Sequence, residues 1–209
     1  MTPAEDAALQ AHLYMVGPVN GVQYKSSFMG ALRDARAVAE RDVETGIVMP
    51  EAASGSWLGA IGYLVLLDQV GTCFTLPGCA PGDTSFIDAL RCFSTVAHEP
   101  TIQALYAVRN ALAHDYSLFN RNVGNPLRNH AFAYTADPGA PLIQLPAHPW
   151  NGQYANIGPE QTTTVNLRQV GDLVEEVVPR LRQEHQNGQL MIRLPLGEFE
   201  VRYGMYYPV

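Results

Sequence analysis

Lysine is almost absent from this chain: Lys25 is the only one, and arginine supplies the other 12 of its 13 basic residues. Set against 20 acidic residues they leave a net charge of −7, which excludes a broad cationic face for coating nucleic acid. Chemistry on a nucleic acid would rest on a few placed arginines, unaided by global charge. Cysteine is scarce as well. Cys73, Cys79 and Cys92 are odd in number and lack the close pairing of zinc sites, so they read as small buried thiols in a reducing compartment. Long hydrophobic runs are missing: the longest, Trp57 to Leu67, is about half of the roughly 20 residues that span a bilayer. The start Met1-Thr2-Pro3-Ala4-Glu5-Asp6 has neither the basic residues nor the apolar core of a signal peptide. These absences point to a cytoplasmic protein with no membrane span. No Walker sequence or Gly-x-Ser-x-Gly elbow is present, and His12, His148 and His185 stand in no metal-ligating spacing, so neither metal nor cofactor is expected.

What is present is helical periodicity in a chain of 209 residues, enough for one sizeable core. The spacing predicts a first helix with Tyr24, Phe28, Ala31, Ala35 and Val38 inward and Arg33, Asp34, Arg36, Glu40 and Arg41 outward, stopped by Gly46. A second, about Ser56 to Val70, is apolar on nearly all sides and belongs at the centre, with Gly59 and Gly62 admitting a neighbour's backbone. Thr84-Ser85 start a third, and Pro100 sits in the first turn of a fourth that runs to about Phe119. A fifth carries Leu167, Val170, Val174, Val177 and Leu181. Between them a proline-rich stretch, 126–160, holds Ala131 to Thr135 and Leu142 to Leu145, which read as a small hairpin. The expected fold is thus mainly α: a single domain with a helical core at 20–125 and 165–188, a hairpin or loop insertion at 126–160, and an extended, weakly β-like tail at 189–209.

The fourth helix carries the chemistry. Projected at 100° per residue, it places Leu105, Tyr106, Arg109, Leu112, Ala113, Tyr116 and Phe119 in one apolar sector. An arginine there needs a carboxylate, a cavity or an interface. Gln103, Asn110, His114, Ser117 and Arg121 form a second, polar stripe in which Asn110 lies one turn before His114 and is placed to orient it. Arg109 and His114 are five residues apart, about 140° of rotation on a regular helix, so one helix alone would not converge them on a phosphate.

The string Arg109-Asn110-Ala111-Leu112-Ala113-His114 resembles the Arg-x4-6-His motif of the HEPN superfamily of helical nucleotide-binding and ribonuclease domains. The resemblance implies a helical bundle, a homodimer whose arginines and histidines share one cleft, and metal-independent RNA cleavage leaving 2′,3′-cyclic phosphate. His114 would be the general acid or base, Arg109 would stabilise charge on the phosphate, and Asn110 would orient the histidine or bind phosphate. Arg121, Ser117, Arg128 and Gln103 are the candidate substrate contacts, with His130 beside them. His114-Asp115-Tyr116 is similar to the Arg-x4-His-x-Tyr segment of toxins paired with a nucleotidyltransferase antitoxin, which implies Tyr116 as a modification site and an antitoxin protein as partner. Two other readings stand beside the enzyme: a binding module that holds nucleotide, RNA or a partner in the same cleft without cutting, and a structural protein in which Arg109 pairs with a carboxylate such as Asp68.

Overall fold

The computed structural model describes residues 1–14, 22–50, 56–80, 82–155 and 157–208, and side chains throughout these except at 22–25 and 205–208. Capping residues set the helix starts. Ser26 Oγ accepts from the Met29 amide at the head of α2 (Ser27–Val38), Ser56 Oγ from Gly59 at the head of α3 (Trp57–Cys73), and Thr84 Oγ1 from Ile87 at the head of α4 (Ser85–Phe93). Helix α5 (Glu99–Asn110) starts with Pro100 in its first turn instead. The central position expected for α3 follows from its composition: it packs on α2, α4 and the long α6 (Leu167–Gln186), burying Tyr63, Leu64, Leu66, Leu67 and Val70. Its glycines permit the approach. A Cβ on Gly71 would fall 1.7 Å from the Ser85 carbonyl oxygen, and one on Gly59 would meet Ala39 at 2.7 Å.

The mainly α, five-helix expectation is corrected. The described residues hold seven α-helices, including α1 (Pro3–Tyr14) and α7 (Leu196–Tyr203), together with a mixed four-stranded sheet and two short ladders. The ladders pair β1 (Val22–Ser26) with β8 (Gly204–Pro208) and β2 (Phe74–Thr75) with β7 (Met191–Ile192), both antiparallel. The tail expected to be extended therefore alternates strand, helix and strand, and Tyr24 belongs to β1 rather than to the first helix. The sheet has the order β3 (Phe119–Asn120), β4 (His130–Thr135), β6 (Thr162–Asn166), β5 (Ile143–Gln144).

The expected hairpin does not form, because β6 lies between its two arms, parallel to β4 and antiparallel to β5. Its Thr162-Thr163-Thr164-Val165 run suits a pleated sheet. The buried Asn166 fixes the arrangement: its Nδ2 donates to the carbonyls of Asp137 and Ala140 at 2.7 and 2.8 Å, while its Oδ1 caps α6.

Two arginines assigned to a solvated face lie inside. Arg36 donates from Nε and Nη2 to Glu175 on α6 at 2.8 and 2.7 Å, and Arg41 reaches Asp172 at 2.8 Å. Val38 and Ala31, expected inward, are exposed. The cysteine reading is also corrected: Cys79 and Cys92 form a disulfide with Cα atoms 5.9 Å apart, leaving Cys73 as the one free, buried thiol. That bridge removes the argument from an odd count of free thiols. Among the described residues no helix is long and apolar enough to cross a membrane.

Candidate functional site

The fourth helix does not run regularly to Phe119. After Asn110 it opens into one π-helical turn, Ala111–Asp115, and ends at Tyr116 in the left-handed region with φ 49°. In a π turn the hydrogen bonds run i to i+5, so residues five apart come one above the other. The wider winding reduces the 140° offset of the regular helix and brings the two side chains onto one face. Arg109 Nη1 lies 2.9 Å from His114 Nε2 and also donates to Asn110 Oδ1 at 3.0 Å. Asn110 therefore holds the arginine and does not orient the histidine.

From the other side Arg109 Nε donates to Asp68 Oδ2 of α3 at 2.5 Å, and Asp68 Oδ1 accepts from the Ser85 hydroxyl at 3.3 Å. This is the carboxylate named in the structural reading of the sequence. The pair is not sealed in the core: the two side chains are 22% and 19% exposed. Among the described residues Nη2 of Arg109 has no hydrogen-bond partner. Because a guanidinium only donates, His114 Nε2 accepts in this arrangement and the ring proton sits on Nδ1. The imidazole is exposed. The arrangement offers a fixed cation with one open donor arm beside an exposed histidine.

Tyr116, placed in the apolar sector by regular projection, is 52% exposed, again because the π turn shifts the phase. Its ring lies 5.5 Å from Trp57 at the head of α3, and Trp57 lies 4.7 Å from Tyr134 of β4. Behind Tyr134 come Phe132 at 6.3 Å and His130 at 5.3 Å from Phe132. The Tyr134 hydroxyl is buried with no partner among the described residues, and burial pushes its pKa above the usual phenol range.

The remaining sequence candidates do not join this centre. Gln103 is buried, giving its Nε2 to Glu99 and receiving Arg128 Nε at 2.6 Å. The Gln103 hydrogen bond is the main reason that the Glu99 carboxyl lies below its ordinary pKa. Arg128 is itself buried, bound to Asp83 at 2.8 Å and set over the Tyr106 ring at 4.3 Å. The pair fastens the 3-10 turn Pro126–Arg128 to α5, which corrects its assignment as substrate contacts. His130 spends both ring nitrogens inside: Nε2 donates to the Leu127 carbonyl and Nδ1 accepts from Thr163, with burial holding its pKa below the usual imidazole value. Ser117 is half-buried and its hydroxyl accepts the Phe119 amide at 3.0 Å. Arg121 is exposed and lies over Gly152, with no bond to Arg109 or His114.

Sequence reasoning missed Trp57, Tyr134 and Ser85 as neighbours of the site. Trp57 carried a signal, as an aromatic ring in the first turn of the central helix. Tyr134 and Ser85 carried none. Among the described residues no group of three or more His, Cys, Asp or Glu side chains is placed to hold a metal ion. No family model, no curated protein and no solved structure matches this chain.

Proposed function

We propose that this chain is a metal-independent RNA endonuclease working through Arg109 and His114. The observation that carries the reading is the 2.9 Å approach of Arg109 Nη1 to His114 Nε2, made within one chain by the π turn. π turns of this kind recur at functional sites. When a phosphodiester binds, the open Nη2 arm takes a non-bridging oxygen and the guanidinium turns toward it. Nε2 is thereby freed to take the 2′-hydroxyl proton. The 2′-oxygen attacks phosphorus, the bond to the 5′-oxygen breaks, and solvent protonates that oxygen. The products are a 2′,3′-cyclic phosphate and a 5′-hydroxyl.

A homodimer is part of the proposal on different grounds from those of the sequence, since the convergence of Arg109 and His114 no longer requires a second chain. Leu58 and Val65, 60% and 46% exposed, sit seven residues apart on α3 along the face that bears Asp68. A second copy would seat on them. A cytoplasmic place of action goes with an RNA substrate, and the Cys79–Cys92 bridge is the observation against it.

One observation favours the binding module instead: Asp68 neutralises Arg109 at the place where phosphate charge would develop. Incubating wild type and His114→Ala with mixed RNA in EDTA separates the two. Cleavage to cyclic-phosphate ends by wild type, reduced at least about a hundredfold in the variant, is the enzyme's result. Binding without cleavage by a folded wild type is the module's.

A further inference from the structure

Two uncommon backbone conformations stand side by side at this site, a π turn and then a tyrosine with φ 49°. A bulky residue in the left-handed region is strained and persists only where its surroundings over-determine it. Here the result is an aromatic ring held half in solvent two residues beyond His114, not a ring tucked into the core. The ring is also backed. Trp57 supports its inner side, Tyr134 supports Trp57, and Phe132 and His130 continue the pile into the sheet. The sheet strand β4 and the head of α3 thus converge on one half-exposed ring, two residues beyond the histidine that Arg109 touches through Nη1. Such a pairing of a flat apolar face with a phosphate-sized cation matches the two halves of a nucleotide. A base within a duplex has both faces covered by its neighbours, so the occupant is unpaired.

We propose that the outer face of Tyr116 is a stacking platform for an unpaired base of single-stranded RNA whose adjoining phosphate reaches Arg109. This deepens the endonuclease reading and rests on the Arg109–His114 site being where phosphate binds. It assigns the ring of Tyr116 to recognition, whatever happens at its hydroxyl. Duplex RNA, with no open base face, is refused.

The chain supplies its own probe. Of its two tryptophans, Trp150 is buried with its Nε1 bonded to the Gln153 carbonyl, so a ligand that stacks at Tyr116 is reported by Trp57. In the His114→Ala background, oligoadenylate is expected to quench the tryptophan emission, and Trp57→Phe to abolish that signal. Tyr116→Ala should weaken binding about tenfold, and Tyr116→Phe should restore it, since a stacked base is worth about one such factor. The same strand paired with oligouridylate should neither bind nor quench, and inorganic tripolyphosphate should bind without quenching. The proposal is overturned if oligoadenylate gives no quenching up to millimolar strand, if Tyr116→Ala binds as tightly as its parent, or if the duplex quenches as well as the single strand. Cleavage by the wild-type protein is read separately: quenching without cutting sinks the endonuclease and leaves the platform, whereas cutting with a KM unmoved by Tyr116→Ala does the reverse.

Discussion

Arg36 and Arg109 each reach from one helix to a carboxylate on another, yet they are in opposite conditions. Arg36 uses every donor nitrogen it has: Nε and Nη2 on Glu175, and Nη1 on the carbonyls of Val43 and Glu44 at 2.9 and 2.7 Å. Tyr63 adds its hydroxyl to the same glutamate at 2.8 Å. Arg109 is held at Nε and Nη1 and leaves Nη2 open beside an exposed histidine. A buried charge whose donors are all satisfied has nothing left to offer a ligand, and its worth lies in fixing α2 against α6. A partly exposed charge with one idle donor keeps a hydrogen bond to give. Arg128 differs from Arg109 in its burial, held by Gln103 and Asp83 over the face of Tyr106, although the sequence offered both as site residues.

The contrast breaks most readily on stability. Arg36→Met leaves Glu175 buried without its cation and should destabilise by about 3–5 kcal/mol, a fall in Tm of roughly 10 °C. Arg109→Ala should cost about 1 kcal/mol, because water reaches both it and Asp68. Thermal melts in which the two variants fall equally would show that Arg109 is only another structural clamp.

The histidines sharpen the same point through acid. His12 has its ring 4.8 Å from Phe199 and 5.5 Å from Phe28, Nδ1 on Ser26 Oγ and Nε2 without a partner among the described residues, and burial pushes its pKa down to about 3. Since the unfolded chain takes up that proton first, its contribution is complete above about pH 6.5 and is lost as pH falls toward 3. Between pH 7 and 5 this amounts to about 2 kcal/mol, and the buried His130 acts in the same direction. Melting temperature against pH should therefore slope downward toward acid in wild type and flatten in His12→Phe; an unchanged slope would remove His12 from the account. Smallest of all is the effect expected for His114→Ala, within about 0.5 kcal/mol by the same melts, as befits an exposed ring.

The central helix was legible in the sequence because a segment apolar on every side has only one place to go. The carboxylate partner of Arg109 was legible for a similar reason: a cation in an apolar stripe must find one, and Asp68 is on the neighbouring helix. The burial of Arg36 was not, since its partner lies 139 residues away and nothing local distinguishes it from a solvated arginine. The sheet was legible only in part: β4 and β5 fall on the two segments read as hairpin arms, whereas β3 is two residues long and leaves no period to detect, and β6 pairs with β4 across a long connection. The convergence of Arg109 with His114 and the exposure of Tyr116 failed together and from one cause: the projection assumed 100° per residue through a turn that does not obey it.

That turn also means the centre depends on counting as much as on chemistry. A π turn carries one residue more than the α turn it replaces, so a chain shortened by a single alanine, Ala113 for example, would keep every side chain named here. Wound as an ordinary helix, it would set the histidine four positions after Arg109, about 40° round on the same face, while the tyrosine, now six positions after Arg109, would turn to a different face. The extra residue of the π turn thus sets where Tyr116 points relative to the Arg109–His114 pair.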